Sequence, residues 1–253
     1  IMALYAFCRE VDDAVDEISD PLVAAQTLAW WRQEVANTFV GQATHPVGKA
    51  LADTLQDFNL HEEYFHEIID GMEMDLTQHR YPAYKNLALY CHRVASVVGL
   101  LSAQIFGFSD RSTLKFAEKL GLAFQLTNII RDVREDAERG RIYLPLDEMQ
   151  QFGVSEQSIL DLQQTEALTK LLEFQTQRAE QFYQEAMQLL PPQDRYHQCT
   201  ALIMAEIYRT TLQEIAIDNF QVMKQRVSLT PIRKLWLAWC TYRREKKLAK
   251  SHP

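Results

Sequence analysis

Apolar residues recur at three- and four-residue spacing along nearly the whole chain, while the two-residue alternation of a half-buried strand is scarce. The pattern predicts an all-α protein, a single helical bundle built from amphipathic segments. The first helix is expected over residues 2–18, with Leu4, Phe7, Val11, Val15 and Ile18 as its stripe, closed by Ser19, Asp20 and Pro21. A second covers residues 22–40, with Trp30 and Trp31 as packing anchors. Shorter helices follow over 47–58 and 61–76, and periodicity then fades near Arg80 and Pro82. The stretch YCHRVASVVGLLSAQIFG, from Tyr90, is the most apolar helix and is expected at the centre. Gly99 inside it implies a kink or a close approach, since Gly is about 1 kcal/mol worse than Ala in a helix interior. Ala95, Ser96 and Gly99 leave space beside the helix, and Tyr90 and Arg93 read either as facing that cavity or, for the Tyr90 hydroxyl, as satisfied at a core edge. Asp110 is read as the cap of the next helix. Long helices are expected over 155–190 and 194–223, the second carrying Tyr208 and Arg209, with Pro191 and Pro192 between them.

The helix following Asp110 carries acid where a core helix would not. Leu122, Leu126, Ile129, Ile130 and Val133 form its apolar face. Beside them Asn128, Asp132 and Asp136 stand at i, i+4 and i+8, neighbours roughly 5–6 Å apart. Like charges at that spacing repel unless a cation lies between them. Hard oxygen ligands of this kind suit Mg²⁺, which keeps several waters and bridges carboxylates to substrate phosphates. Arg131, Arg134 and Arg139 interleave the row, so for one such motif a solvated face of mixed charge is an adequate account. A second copy changes that balance. In LYAFCREVDDAVDE, Asp12 and Asp16 repeat the spacing, with Arg9 one turn and Tyr5 two turns earlier on nearly the same face. Two acidic faces more than a hundred residues apart are expected to oppose each other across a bundle, where helical proteins build metal sites.

Composition narrows the function classes. With 253 residues, 47% hydrophobic and 24% charged, the chain can bury a large core, and one domain over residues 1–253 is expected. A net charge of −8 with no basic stripe argues against nucleic acid as partner. Cys8, Cys91, Cys199 and Cys240 form no C-x-x-C pair, which gives neither a zinc site nor a disulfide framework and fits a reducing, cytoplasmic setting. There is no secretory signal pattern and no run of eighteen uninterrupted apolar residues. Ile1 opens inside an amphipathic pattern without a cap, so the natural chain is expected to carry a further N-terminal segment. The final segment, TPIRKLWLAWCTYRREKKLAK, sets Leu235, Trp236, Leu237 and Trp239 beside a basic cluster. It reads either as an interfacial helix touching anionic lipid at the inner membrane face or as a solvated charged helix.

YAFCREVDDAVDE, QLTNIIRDVREDAERGRIYLP, YCHRVASVVG and a late IYR followed by QRVSLTPIRKL together resemble the squalene and phytoene synthase family over nearly the whole chain. HEEYFHEIIDGMEMDL, WWRQEV and the SDP after the first motif are most similar to its bacterial presqualene diphosphate synthases of squalene and hopanoid pathways. The resemblance implies an isoprenoid synthase fold with a central cavity. It implies head-to-head joining of two farnesyl diphosphate molecules to presqualene diphosphate with two or three Mg²⁺ ions, upstream of the enzymes that complete squalene. By the same resemblance Asp12, Asp16, Asp132 and Asp136 hold Mg²⁺, with Asn128 a further ligand or diphosphate contact. Tyr5, Arg9, Gln125, Arg131, Tyr208 and Arg226 contact diphosphate or order the acidic site, and Tyr90 handles a proton after the first ionisation. The helix around residues 94–101 lines the prenyl channel.

This chain departs from the family in places. Ser96 stands where many relatives have Gly, the family's N-terminal flap motif is absent, and no N-x-x-x-S-x-x-x-E pattern of terpene cyclases is present. With no G-x-G-x-x-G the resemblance favours stopping at presqualene diphosphate, and NADPH is not expected. Two other readings stand beside this one: a synthase of phytoene from geranylgeranyl diphosphate, or of dehydrosqualene or squalene; and a non-catalytic relative that binds lipid or assembles other proteins.

Overall fold

The computed structural model describes residues 1–55 and 57–251. Among these the regular structure is helical, and the β-type pairing is one isolated bridge between Arg80 and Ile142. Helices α1 (Met2–Asp16), α2 (Pro21–Phe39), α3 (Pro46–Leu55) and α4 (Glu62–Thr77) gather around Phe7, Trp31 and Phe65. Phe7 meets Trp31 at 5.7 Å and Phe65 at 5.2 Å, both edge to face, the arrangement that aromatic quadrupoles prefer. A second core is built from α5 (Tyr84–Cys91), α6 (Val97–Phe106), α7 (Ser112–Arg131), α8 (Val133–Glu138), α9 (Leu146–Phe152), α10 (Glu156–Leu160), α11 (Glu166–Leu189) and α12 (Cys199–Ile217). The last helix, α13 (Pro231–Ser251), lies along α12.

The central helix is α7, not the apolar stretch from Tyr90. Thr113, Phe116, Leu120, Gly121, Ala123, Leu126 and Ile130 bury it on most of its circumference. The apolar stretch instead joins the two cores. A π-turn over His92–Ser96 links α5 to α6, Leu87 and Cys91 point into the second core, and Val97 and Leu101 point into the first. Tyr84–Phe106 is long and apolar enough to cross a membrane, yet here it packs against α4 and α7. Its apolar character serves two cores and a channel described below.

The close approach expected at Gly99 is present. A Cβ there would lie 2.6 Å from the Ala117 carbonyl oxygen, and one on Gly121 would lie 2.6 Å from that of Ala95. The two helices therefore cross backbone to backbone. At the start of α7, Asp194 is fully buried and accepts from Ser109 N (2.7 Å), Asp110 N (3.0 Å) and Thr113 Oγ1 (2.6 Å). Asp110, expected as the cap, accepts from Ser112 N at 2.8 Å, so two carboxylates meet the donors at this end.

Several boundaries differ from the periodicity. The helix expected over 155–190 is broken where Leu162 takes φ 55°, dividing α10 from α11. The one expected over 194–223 ends at Ile217, because Asn219 and Phe220 take left-handed φ of 52° and 55°. Of the two tryptophans only Trp31 is core at 3% exposure. Trp30, about 100° further round the helix, is 45% exposed.

Candidate active site

At the seam between the two cores lies a cleft of about 590 Å³, and every residue to which the resemblance assigns a role in the site borders it. Helix α1 contributes Tyr5, Arg9, Asp12 and Asp16, whose spacings of four, three and four keep them on one face. The opposite wall carries Gln125, Asn128, Arg131, Asp132 and Asp136 on α7 and α8. Tyr90 from α5, Tyr208 from α12 and Arg226 beyond it complete the set. Arg93 is the exception to the expected layout: it turns away and pairs with Glu67 (3.0 Å) and Asp70 (3.6 Å).

The second acidic row is not on one unbroken helix. At Asp132 the backbone takes φ −103° and ψ 18°, ending α7 before α8 begins. The four-residue register survives because Asp132 N donates to Asn128 O (2.8 Å) and Asp136 N donates to Asp132 O (2.9 Å). Arginines hold three of the four aspartates. Asp132 accepts from Arg131, with Nε at 2.7 Å, and from Arg226 Nε at 2.8 Å. Asp16 accepts from Arg139 at 2.5 Å and Arg141 at 2.8 Å, which ties α1 to the far wall. Asp12 lies 3.3 Å from Arg9, which also pairs with Asp13 at 2.7 Å.

These partners set the charge states. Burial alone would raise the Asp16 and Asp132 carboxyls, but Arg141 and Arg139 on one, and Arg131 and Arg226 on the other, hold both below the ordinary carboxylate value. Asp12 is raised by burial and by Asp16. Asp136 is pushed up to about 8, first by burial and then by the charges of Asp132 and Asp75. Nearby, Asn128 Oδ1 is buried with no donor in reach. Among the described residues no three acidic, His or Cys side chains close into a cage; the four motif aspartates stand two on each wall. An under-compensated Asp136 and an unsatisfied amide oxygen mark a deficit of positive charge, and this all-oxygen set fits a hard divalent cation shared with a ligand rather than one caged by protein.

Sequence reasoning missed four side chains in the cleft: Asp75, Arg139, Arg141 and Tyr143. Tyr90 Oη donates to Asp75 Oδ2 at 2.9 Å and Tyr143 Oη to Asp75 Oδ1 at 2.7 Å, the two rings stacked 5.2 Å apart. Burial pushes the Asp75 carboxyl up to about 6 despite both hydrogen bonds, and burial beside Asp75 holds both phenols protonated well above their usual range. Asp75 had a signal: with Phe65, Ile68 and Met72 it continues the buried stripe of α4 at spacings of three, four and three, and a carboxylate there requires partners. Arg139 and Arg141 flank Gly140, which takes φ 74°. Their loop is pinned by Ile142 N on His79 O (3.1 Å) and Arg80 on Gly140 O (2.7 Å), contacts that no local pattern announces.

The cleft opens into an apolar channel of about 280 Å³, and Val94, Gln125, Asn128 and Tyr208 border both. Small side chains make the room: Ala95, Gly99 and Ala103 on one helix, Ala117 and Gly121 on the next, Ala201 on α12. Of the stretch 94–101 expected to line it, Val94, Ala95, Val98 and Gly99 do.

The sequence profile of the squalene/phytoene synthase family matches residues 1–233. The chain belongs to that family. Its members are prenyltransferases that use prenyl diphosphates. Among curated proteins it is similar to the phytoene synthase of Arthrospira platensis, at 38% identity over 251 residues, 93% of this chain and 80% of that one. It is also similar to the 15-cis-phytoene synthase of Synechocystis, at 35% identity over 94% of this chain and 75% of that one. Among solved structures it superposes on a ligand-bound dehydrosqualene synthase with TM-score 0.83 and 29% identity, over 97% of this chain and 86% of the other. The squalene synthase HpnC of Alicyclobacillus acidocaldarius gives TM-score 0.76 and 29% identity, over 86% and 82%. The isoprenoid synthase fold is thus this chain's fold.

Proposed function

We propose that this protein joins two molecules of farnesyl diphosphate head to head, releasing one diphosphate and one proton to give presqualene diphosphate. The observation that carries the reading is the junction of a polar cleft, walled by two acidic pairs and five arginines, with a dry channel sized by Ala and Gly. A diphosphate leaves an allylic carbon only when its developing charge is neutralised. Asp12 and Asp16 on one wall, and Asn128, Asp132 and Asp136 on the other, would hold Mg²⁺, which supplies that neutralisation when bound. Arg9, Arg131, Arg139, Arg141 and Arg226 would exchange their carboxylate partners for diphosphate oxygens, with Tyr5, Gln125 and Tyr208 beside them in the cleft wall as further contacts. The channel keeps water from the allylic cation while the second prenyl chain attacks it.

Closure to the cyclopropane frees a proton. Tyr90 Oη accepts it while passing its own proton to Asp75 Oδ2, 2.9 Å away, so the phenol never becomes a phenolate. Asp75, poised at about 6, takes a proton readily near neutral pH.

Phytoene formation from geranylgeranyl diphosphate is the second reading, favoured by the 38% identity to a phytoene synthase; the 0.83 superposition on a dehydrosqualene synthase supports the C15 substrate. The test is product analysis with farnesyl diphosphate and Mg²⁺, with and without NADPH, and with geranylgeranyl diphosphate in parallel. The expected product is a C30 cyclopropyl diphosphate unchanged by NADPH. Squalene would add a reductive step, phytoene would move the assignment to C40, and no product would leave the non-catalytic reading.

A further inference from the structure

We propose that the outward face of α13 is a docking surface for an anionic lipid bilayer. Against α12 the helix packs through Thr241 and Glu245, each 1% exposed, and Arg195 clamps Glu245 with two 2.9 Å bonds. Arg233 on Glu214 (2.6 Å) and Arg244 on Glu206 (3.7 Å) reinforce the seam. The side turned away is apolar in its first half. Ile232, Leu235, Trp236 and Trp239, at helical spacings of three, one and three, are 80%, 71%, 60% and 49% exposed. Trp236 and Trp239 lie with ring centres 5.2 Å apart. Further along that face the residues become Arg243, Lys246 and Lys250, with Arg243 over the Trp239 ring at 5.0 Å and Lys246 over Tyr242 at 5.3 Å.

A merely solvated helix has no reason to gather Ile, Leu and two Trp in one stripe, since scattered apolar residues are ordinary and contiguous ones are not. Charge selects the occupant. The chain's net charge is −8, yet α13 holds seven basic residues against one acidic, so the cations are concentrated on this one element. Two copies meeting through this face would bring like charges together, whereas an anionic headgroup layer attracts the basic half and receives the tryptophans at its interfacial depth. Helix α12 connects the surface to the site: Ala201, Met204 and Tyr208 line the apolar channel, and Glu206 and Glu214 face α13. Resting on the function proposed above, this places the long prenyl chains of the diphosphate product beside the phase that dissolves them.

The experiment is co-sedimentation of the protein with phosphatidylcholine vesicles containing 0 or about 30% phosphatidylglycerol, without prenyl diphosphate, so that its outcome is independent of the catalytic reading. Binding is expected on the anionic vesicles and weakened by salt. Trp236→Ala with Trp239→Ala should abolish it. Arg243→Gln with Lys246→Gln and Lys250→Gln should lower the partition coefficient about a hundredfold, from about fivefold per cation near an anionic surface. All five side chains point away from the Thr241–Glu245 seam, and unchanged melting temperature verifies folding. Failure of the wild type to bind, equal binding to neutral vesicles, or full binding by both variants overturns the proposal. So does a lipid-free dimer that the tryptophan variant dissociates, which would assign the face to a second copy.

Discussion

Gly121→Ala tests whether α7 and the π-turn truly meet backbone to backbone. The new Cβ would stand 2.6 Å from Ala95 O, 2.7 Å from Ser96 Cα and 2.8 Å from Ala95 C. These are main-chain atoms that no rotamer change can remove, so the helices must separate by several tenths of an ångström. Overpacking of this kind costs about 1–3 kcal/mol, and three backbone clashes put this site at the upper end. Against it stands the helix preference of Ala over Gly, about 1 kcal/mol. The clash wins by about 2 kcal/mol, equivalent to a melting temperature about 4–8 °C lower for a chain of this size. Scanning calorimetry at fixed rate reads the shift. Turnover should fall with it, because Gly121 borders the channel and Gln125 and Asn128 sit one and two turns along the same helix. An unchanged or higher melting temperature would mean that propensity outweighs contact and that the crossing is looser than described.

Asp132→Ala is expected to lower Mg²⁺-dependent product formation by at least about a hundredfold while far-UV helicity is kept, because it removes one carboxylate and frees Arg131 and Arg226; full activity would remove Asp132 from the site. Asp75→Asn should alter the pH dependence of stability. With its pKa raised from 3.8 to about 6 in the fold, Asp75 holds a proton that the unfolded chain has already released, so it withdraws about 3 kcal/mol of stability as pH rises from about 4 through 6. Denaturant titrations should find the variant gaining that amount relative to wild type between pH 4 and 7, and parallel curves would show that Asp75 titrates as an exposed acid.

Helicity, the apolar stripes and both acidic rows were legible in the sequence because they are local. A residue at i+4 is a neighbour on any helix, so Asp12 with Asp16 and Asn128 with Asp132 could be placed before any fold was known. The motifs likewise located twelve of the residues that border the cleft. Contacts between elements distant along the chain were not legible. Arg139 and Arg141 reach Asp16 across more than 120 residues, and Tyr143 reaches Asp75 across 68. Charge sets the need for such partners, but helix crossing geometry chooses them. The same holds for centrality: composition pointed to the stretch from Tyr90, yet a wall shared by two cores and a channel is as apolar as a central helix, and only the backbone contacts at Gly99 and Gly121 put α7 in the middle.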